Sequence, residues 1–160
     1  MGNTNHTITT KSAKATQKLG EKLGQLLHEP ALITLEGDLG CGKTTFSQGL
    51  AKGLEVPAEY YVTSPSFAII NEYPARRPFY HIDFYRLSYE SELEDLGFFD
   101  ILAENAVTAI EWAAKFPEVI NNLPHLEIKF SYLDANLRQI SLNAYGQAYE
   151  NLIQELVRRL

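Results

Sequence analysis

One cysteine, Cys41, stands in 160 residues, so no internal disulfide can form and the chain suits a reducing compartment. Long apolar runs are missing as well: none approaches the ~20 residues that a membrane-spanning helix needs. Met1 to His6 have neither the basic end nor the apolar centre of a secretory signal, and the expected location is cytoplasmic. Positive charge is scarce. Lys and Arg number 14 against 20 Asp and Glu, and the resulting net charge of −6 argues against a broad phosphate-binding surface for RNA or DNA. No Asn-Lys-x-Asp occurs, which removes the guanine-reading motif of GTPase switches. Repeats, low-complexity tracts and interdomain linkers are absent from the sequence. At this length the expectation is a single domain over residues 1–160 with a substantial core.

What is present is a phosphate-binding signature. Gly37-Asp38-Leu39-Gly40-Cys41-Gly42-Lys43-Thr44 fits G-x-x-x-x-G-K-[ST]; the apolar run Ala31 to Leu35 precedes it and helix-forming Thr45 to Leu50 follow. The glycines let successive N–H groups turn inward and, with the N-terminus of the next helix, cradle phosphate oxygens. Lys43 would reach the β- and γ-phosphates of a nucleotide and Thr44 would hold Mg²⁺. Cys41 can be read as a sensitive thiol within a phosphate loop or as a small residue tolerated at a variable position.

Hydrophobic periodicity predicts the elements around this loop. A short strand at Ile8-Thr9-Thr10 leads to a helix capped by Ser12, with Ala15, Leu19, Leu23, Leu26 and Leu27 on its apolar face. Strand 31–36, the P-loop, and a helix from Lys43 to about Leu54 follow. Strands Phe67–Tyr73 and Phe79–Arg86 read as a hairpin around Pro74 and Pro78. Glu90 to Gly97 suggests a short acidic helix ended by glycine, and Ala106 to Ile110 a buried parallel strand. Leu126–Tyr132 and Leu137–Tyr145 look like an antiparallel edge, and a helix from Gln147 to Leu160 closes the chain. The fold class is α/β: a P-loop NTPase-like three-layer fold whose mixed, mostly parallel sheet carries antiparallel hairpins and is flanked by helices.

A P-loop needs an acid at the end of a neighbouring buried strand, since Mg²⁺ takes hard oxygen ligands beside Thr44 and the triphosphate. Glu111 sits where that acid belongs, and Trp112, the single tryptophan, is next to it. In His81-Ile82-Asp83-Phe84-Tyr85-Arg86 the two-residue period places His81, Asp83 and Tyr85 on one face, read as polar, with Ile82 and Phe84 packing on the other. Asp83 could orient a water or the metal shell; Arg86 could meet a phosphate or a carboxylate; His81 reads as a hydrogen-bonded structural residue. Ser64-Pro65-Ser66 could serve as a switch loop whose hydroxyls sense a γ-phosphate, or as a plain turn.

Taken together, Gly37 to Thr45, Thr63-Ser64-Pro65-Ser66, His81-x-Asp83-x-Tyr85-Arg86, Glu92-Leu93-Glu94 and Ile110-Glu111-Trp112 resemble the TsaE (YjeE) family in order, spacing and total length, over essentially the whole chain. The resemblance implies a small bacterial ATPase required for threonylcarbamoyladenosine at position 37 of tRNAs that read codons starting with adenosine. It implies binding of ATP and ADP with Mg²⁺, docking on a pair of TsaB and TsaD proteins after TsaC has made threonylcarbamoyl-AMP, and slow hydrolysis that resets that complex. The transfer itself, and stable contact with tRNA, would belong to TsaD. On the same resemblance, Leu39, Gly40, Cys41, Gly42, Lys43, Thr44 and Thr45 bind phosphate, Thr44 and Glu111 hold Mg²⁺, and Ser64, Pro65 and Ser66 form the switch. Asp83 and Trp112 match functional positions, and Lys14 and Tyr132 fall beside the adenine. The sequence departs from the family at Cys41, where a small residue is usual, and at Ser66, where threonine is.

With Lys43, Asp83 and Glu111 as catalytic residues, the reading is a weak Mg-dependent ATPase stimulated by partners. The alternative is a small-molecule P-loop kinase, which predicts an arginine-rich lid. Arginines here are sparse, with Arg76 and Arg77 in a hairpin turn and no lid-like segment after Glu111.

Overall fold

The computed structural model describes residues 4–38 and 40–160. In chain order the elements are β1 (Asn5–Thr10), α1 (Ala13–Leu26), β2 (Ala31–Glu36), α2 (Lys43–Gly53), β3 (Ile70–Tyr73), β4 (Phe79–Asp83), α3 (Glu92–Asp95), α4 (Phe98–Leu102), β5 (Val107–Glu111), a 3₁₀ turn (Ala113–Lys115), α5 (Pro117–Ile120), β6 (His125–Tyr132), β7 (Arg138–Tyr145) and α6 (Gln147–Arg158). The seven strands form one sheet in the order β1-β7-β6-β2-β5-β4-β3. Its centre, β6-β2-β5-β4, is parallel, and β3 and the β7-β1 pair add antiparallel margins.

Alternation along the strands divides the core in two, because successive side chains point to opposite faces of a sheet. Ile33 and Leu35 of β2 join Leu19 and Leu23 of α1, Phe46 and Leu50 of α2 and Ile153 and Leu156 of α6 on one face. Leu32 turns the other way and meets Ile82, Ile110, Leu93, Phe98 and Ile120 beneath α3 to α5. Helices on both faces give the three expected layers.

Glycines decide how close α1 and α2 come. Gly20 and Gly24 share a face of α1, as Gly49 and Gly53 do on α2, because residues four apart stack along a helix. A Cβ on Gly49 would stand 1.9 Å from the Gln17 carbonyl oxygen, one on Gly53 2.1 Å from that of Glu21, and one on Gly20 2.3 Å from that of Phe46. The two backbones touch, which only side chains ending at hydrogen permit. Arg76 then ties the far ends together, donating to the carbonyls of Gly24, Leu27 and Gly53, where helix C-termini favour a cation.

Three expectations are corrected. The strand predicted over Phe67–Tyr73 begins only at Ile70, because Ile69 takes a left-handed conformation, φ 69°, and its N–H bonds to the Pro65 carbonyl. The strand predicted to Arg86 ends at Asp83, whose carboxylate accepts the Tyr85 N–H and bends the chain into a turn closed by Leu87 N–H on the Phe84 carbonyl. The β6–β7 pair is antiparallel as expected, but it is not the edge: β6 also runs parallel to β2, and β1 covers β7. Helix α4 was not anticipated. It buries Phe98 and Ile101 directly after Gly97, which at φ 74° supplies the left-handed step between two short helices.

Candidate functional site

Strands β2, β5 and β4 run parallel and so end at one border of the sheet, with Leu35, Glu111 and Asp83 in register. Ligands of open α/β sheets sit beyond such ends. Here the chain leaves β2 through Gly37 (φ 150°), Gly40 (φ 77°) and Gly42 (φ 109°) and enters α2 at Lys43. Those backbone angles curl the loop over the helix N-terminus, whose unpaired N–H groups suit an anion. A cleft of about 290 Å³ opens there, walled by Gly40, Gly42, Lys43, Thr44 and Thr45, by Ser64 and Glu111, and by Ser12, Thr16 and Arg138 from elements distant in sequence.

Lys43 and Glu111 face each other in this cleft although both are nearly fully buried, 6% and 3% exposed. The ammonium donates to the Gly37 carbonyl at 2.6 Å, stands 4.0 Å from Glu111 Oε1 and lies 4.8 Å from the centroid of the Trp112 ring. Glu111 Oε2 accepts from Ser64 Oγ at 2.7 Å and meets His81 Nε2 at 2.6 Å. Burial pushes the Glu111 carboxyl upward, but the hydrogen bonds from His81 and Ser64 and the Lys43 ammonium outweigh it, and the net shift is below the ordinary carboxylate value. Asp83, one strand further out, goes the other way. Burial raises it and the neighbouring Glu111 adds to the rise, against the Tyr85 N–H, His81 and Lys43. The two neighbouring carboxyls are thus shifted in opposite directions, a pattern of functional sites.

Trp112 follows Glu111 at φ 61°, a left-handed conformation costly for a bulky side chain. The cost goes into orientation: the indole meets Tyr85, ring centroids 5.0 Å apart, and covers Lys43. Lys115 bonds to the Tyr85 carbonyl and lies over its ring.

No group of three or more His, Cys, Asp or Glu side chains that could hold a metal occurs among the described residues. One carboxylate beside one hydroxyl fits Mg²⁺, which keeps waters and takes its remaining oxygens from nucleotide phosphates.

Comparison with known families matches residues 10–140 to the one described as threonylcarbamoyl adenosine biosynthesis protein TsaE. This chain belongs to the TsaE family. Its relatives include the tRNA threonylcarbamoyladenosine biosynthesis protein TsaE of Bacillus subtilis, 38% identical over 153 residues that cover 95% of this chain and 92% of that protein. The protein of the same name from a Nostoc species is 35% identical over 144 residues, 88% of this chain and 86% of the other. Among solved structures, the crystal structure of Bacillus subtilis YdiB matches with a TM-score of 0.80 at 32% identity, over 99% of this chain and 98% of that one.

Within this TsaE fold the predicted site residues separate into groups. Gly40, Gly42, Lys43, Thr44, Thr45, Ser64 and Glu111 wall one cleft, and Trp112 covers Lys43; Leu39 lies outside the described residues. Pro65 is buried and Ser66 exposed, so within the segment expected to form a switch Ser64 is the hydroxyl that reaches the acid. Cys41 is buried within the core beside Gly37, and burial pushes its thiol up, which favours the bland reading over a sensitive thiol. Asp83 stays behind the cleft wall, holding the turn that presents Tyr85 to Trp112. Of the face read as polar, His81 and Asp83 are buried, at 0% and 4% exposed, because β4 lies inside the sheet, while Tyr85 stands past the end of the strand and is exposed. Arg86 stands over the Phe67 ring. Lys14 is exposed on the first turn of α1, and Ser12, Ala13 and Thr16 form the wall there. Tyr132 donates to the Gly40 carbonyl and carries the Arg138 guanidinium 4.1 Å over its ring. Sequence reasoning missed Arg138, Asn136 and Thr16, whose neighbours in the chain carry no motif.

Proposed function

We propose that this TsaE-family protein binds Mg·ATP and hydrolyses it slowly as an accessory factor of tRNA threonylcarbamoyladenosine formation, acting on a TsaB–TsaD complex rather than on tRNA. The observation that carries the reading is the meeting of Lys43 with the Glu111 carboxylate at the mouth of the glycine loop.

The chemistry is positioning. The backbone of Gly40 to Thr45 and the start of α2 would bind the phosphates, and Lys43 would move from the Gly37 carbonyl to the β- and γ-oxygens. Thr44 and Glu111 would hold Mg²⁺, which neutralises charge developing on those oxygens. Glu111 Oε1, the oxygen on the Lys43 side, would be the one it offers to that metal. Asp83, through the Tyr85 turn, keeps Trp112 over Lys43 and so excludes bulk water from the lysine. Arg138, which lines the cleft, is committed to the carbonyls of Asp134, Ala135 and Leu137, so intrinsic turnover is slow and a partner would accelerate it.

The test is multiple-turnover formation of threonylcarbamoyladenosine by TsaB, TsaD and TsaC, with and without this protein, using ATP or a non-hydrolysable analogue. Sustained turnover only with both the protein and hydrolysable ATP is the expected result. No effect on turnover together with phosphorylation of a metabolite would replace this reading with a small-molecule kinase.

A further inference from the structure

The side chain that holds the Glu111 carboxylate most tightly is one the mechanism above does not use. His81 lies in the middle of β4, with Ala109 of β5 and Asn71 of β3 as register partners, and it is fully buried. Its Nε2 meets Glu111 Oε2 at 2.6 Å, shorter than the 2.7 Å bond from Ser64 to the same oxygen. Its other nitrogen has no partner: among the described residues, Nδ1 is the one buried side-chain nitrogen or oxygen left without a hydrogen bond. The ring lies against Phe79, centroids 6.1 Å apart and planes 15° from parallel.

An imidazole kept to fill space would gain nothing from polarity at this place, and one kept to build a network would have both nitrogens engaged. His81 has one polar contact, and that contact is with the acid of the site. A carboxylate oxygen accepts, so Nε2 carries a proton and donates to Oε2, while Nδ1 is left without a partner. Two donors on Oε2, His81 and Ser64, leave Oε1 as the oxygen facing Lys43 and the cleft. Groups one step behind a metal ligand commonly orient it in this way.

We infer that His81 is a positioning residue for Glu111: through its Nε2–H it holds Oε2, so that the carboxylate offers the single oxygen Oε1 to the nucleotide-bound metal. The inference rests on the Mg²⁺ role given to Glu111 above. Ser64 lies in the connection between α2 and β3, whereas His81 is set in the middle of a sheet strand, so His81 sets the carboxylate's orientation whether or not the Ser64 bond is made.

The readout is nucleotide affinity with and without metal, followed by the fluorescence of Trp112, the one tryptophan of the chain. ATP is titrated into the full-length protein in EDTA and again in Mg²⁺, and the ratio of the two affinities measures what the metal adds. His81→Leu keeps the bulk and removes the donor. It is expected to lower that ratio about 10- to 100-fold while leaving the affinity in EDTA within about twofold of the parent. His81→Gln places an amide N–H near the position of Nε2 and is expected to recover most of the ratio; His81→Asn, one carbon shorter, is not. Should the Leu variant fail to fold, the comparison of Gln with Asn carries the test. Equal losses in EDTA and in Mg²⁺, or no difference between Gln and Asn, would make His81 a packing residue and overturn the inference. Glu111→Gln run alongside separates the two levels: an unchanged metal ratio there overturns the metal site itself, whereas a lost ratio with intact His81 variants overturns only the role of His81.

Discussion

The cleft has two walls built on different physics. The wall of α1, α2 and the glycine loop is held by backbone contact between two helices and by a continuous apolar cluster, with its polar groups at the rim. The facing wall, formed by Ser64, Glu111 and Trp112, is held by buried hydrogen bonds to one carboxylate and by backbone in left-handed conformations at Ile69 and Trp112. A close-packed interface has one arrangement and resists change. A wall of polar bonds and strained dihedrals has alternatives within a few kcal/mol, and such strain gathers where a structure must switch. On the reading proposed above, the packed wall is scaffold and the polar wall is the half that would respond to nucleotide.

The largest effect should come from the residue that joins the walls. Lys43→Ala removes the charge that faces Glu111 and, on the proposed reading, the phosphates, and is expected to reduce ATP hydrolysis and partner-supported modification by about 10² to 10³. Near-parental circular dichroism is expected alongside that loss; activity within about tenfold of the parent would show that the two walls do not act together. The scaffold wall should break on stability instead. Gly49→Ala drives a methyl group into the Gln17 carbonyl, 1.9 Å from where it would sit, and is expected to cost about 3 kcal/mol in urea unfolding. No loss would mean that the helices separate freely and that the scaffold is softer than its contacts indicate.

A pH series sharpens the contrast on the polar wall. The Glu111 carboxyl is lowered below its ordinary 4.5, so the folded state holds its charge more readily than the unfolded chain does. That stabilisation is fully present above pH 4.5 and is lost as pH falls through the lower folded value. Glu111→Gln should therefore flatten the acid limb of the stability profile below pH 4.5, and an unchanged limb would show that the acid loss arises elsewhere. The smallest effect is expected at Cys41, which belongs to the scaffold side despite its place in the loop. Cys41→Ala should keep hydrolysis within about twofold, and the native thiol should react with a disulfide reagent only after unfolding. Rapid native reaction would move Cys41 from scaffold to switch.

Features carried by short stretches of chain could be read directly from the sequence. β2 falls at Ala31–Glu36 as predicted, the glycine loop turns where its glycines allow positive φ, Ser12 caps α1 by accepting the Ala15 N–H, and β5 ends in the acid. Others were present but unread: the spacings Gly20 to Gly24 and Gly49 to Gly53 announce a close helix pair only once α1 and α2 are known to be neighbours. His81 looked like one member of a polar strand face because alternation distinguishes the two faces of a strand without saying whether either meets water. Arg138, the arginine that lines the cleft, gave no signal.

By itself the sequence determined the glycine loop, the strand that ends in Glu111, the α/β class and the resemblance to the TsaE family, since each depends on backbone preference or side-chain chemistry within a few residues. Tertiary structure decided the strand order, the burial of β4, the pairing of His81 with Glu111 across 30 positions and the meeting of Ser64 with the same oxygen. Those outcomes follow from which strands lie side by side and in what register, a choice made by the packing of the whole chain.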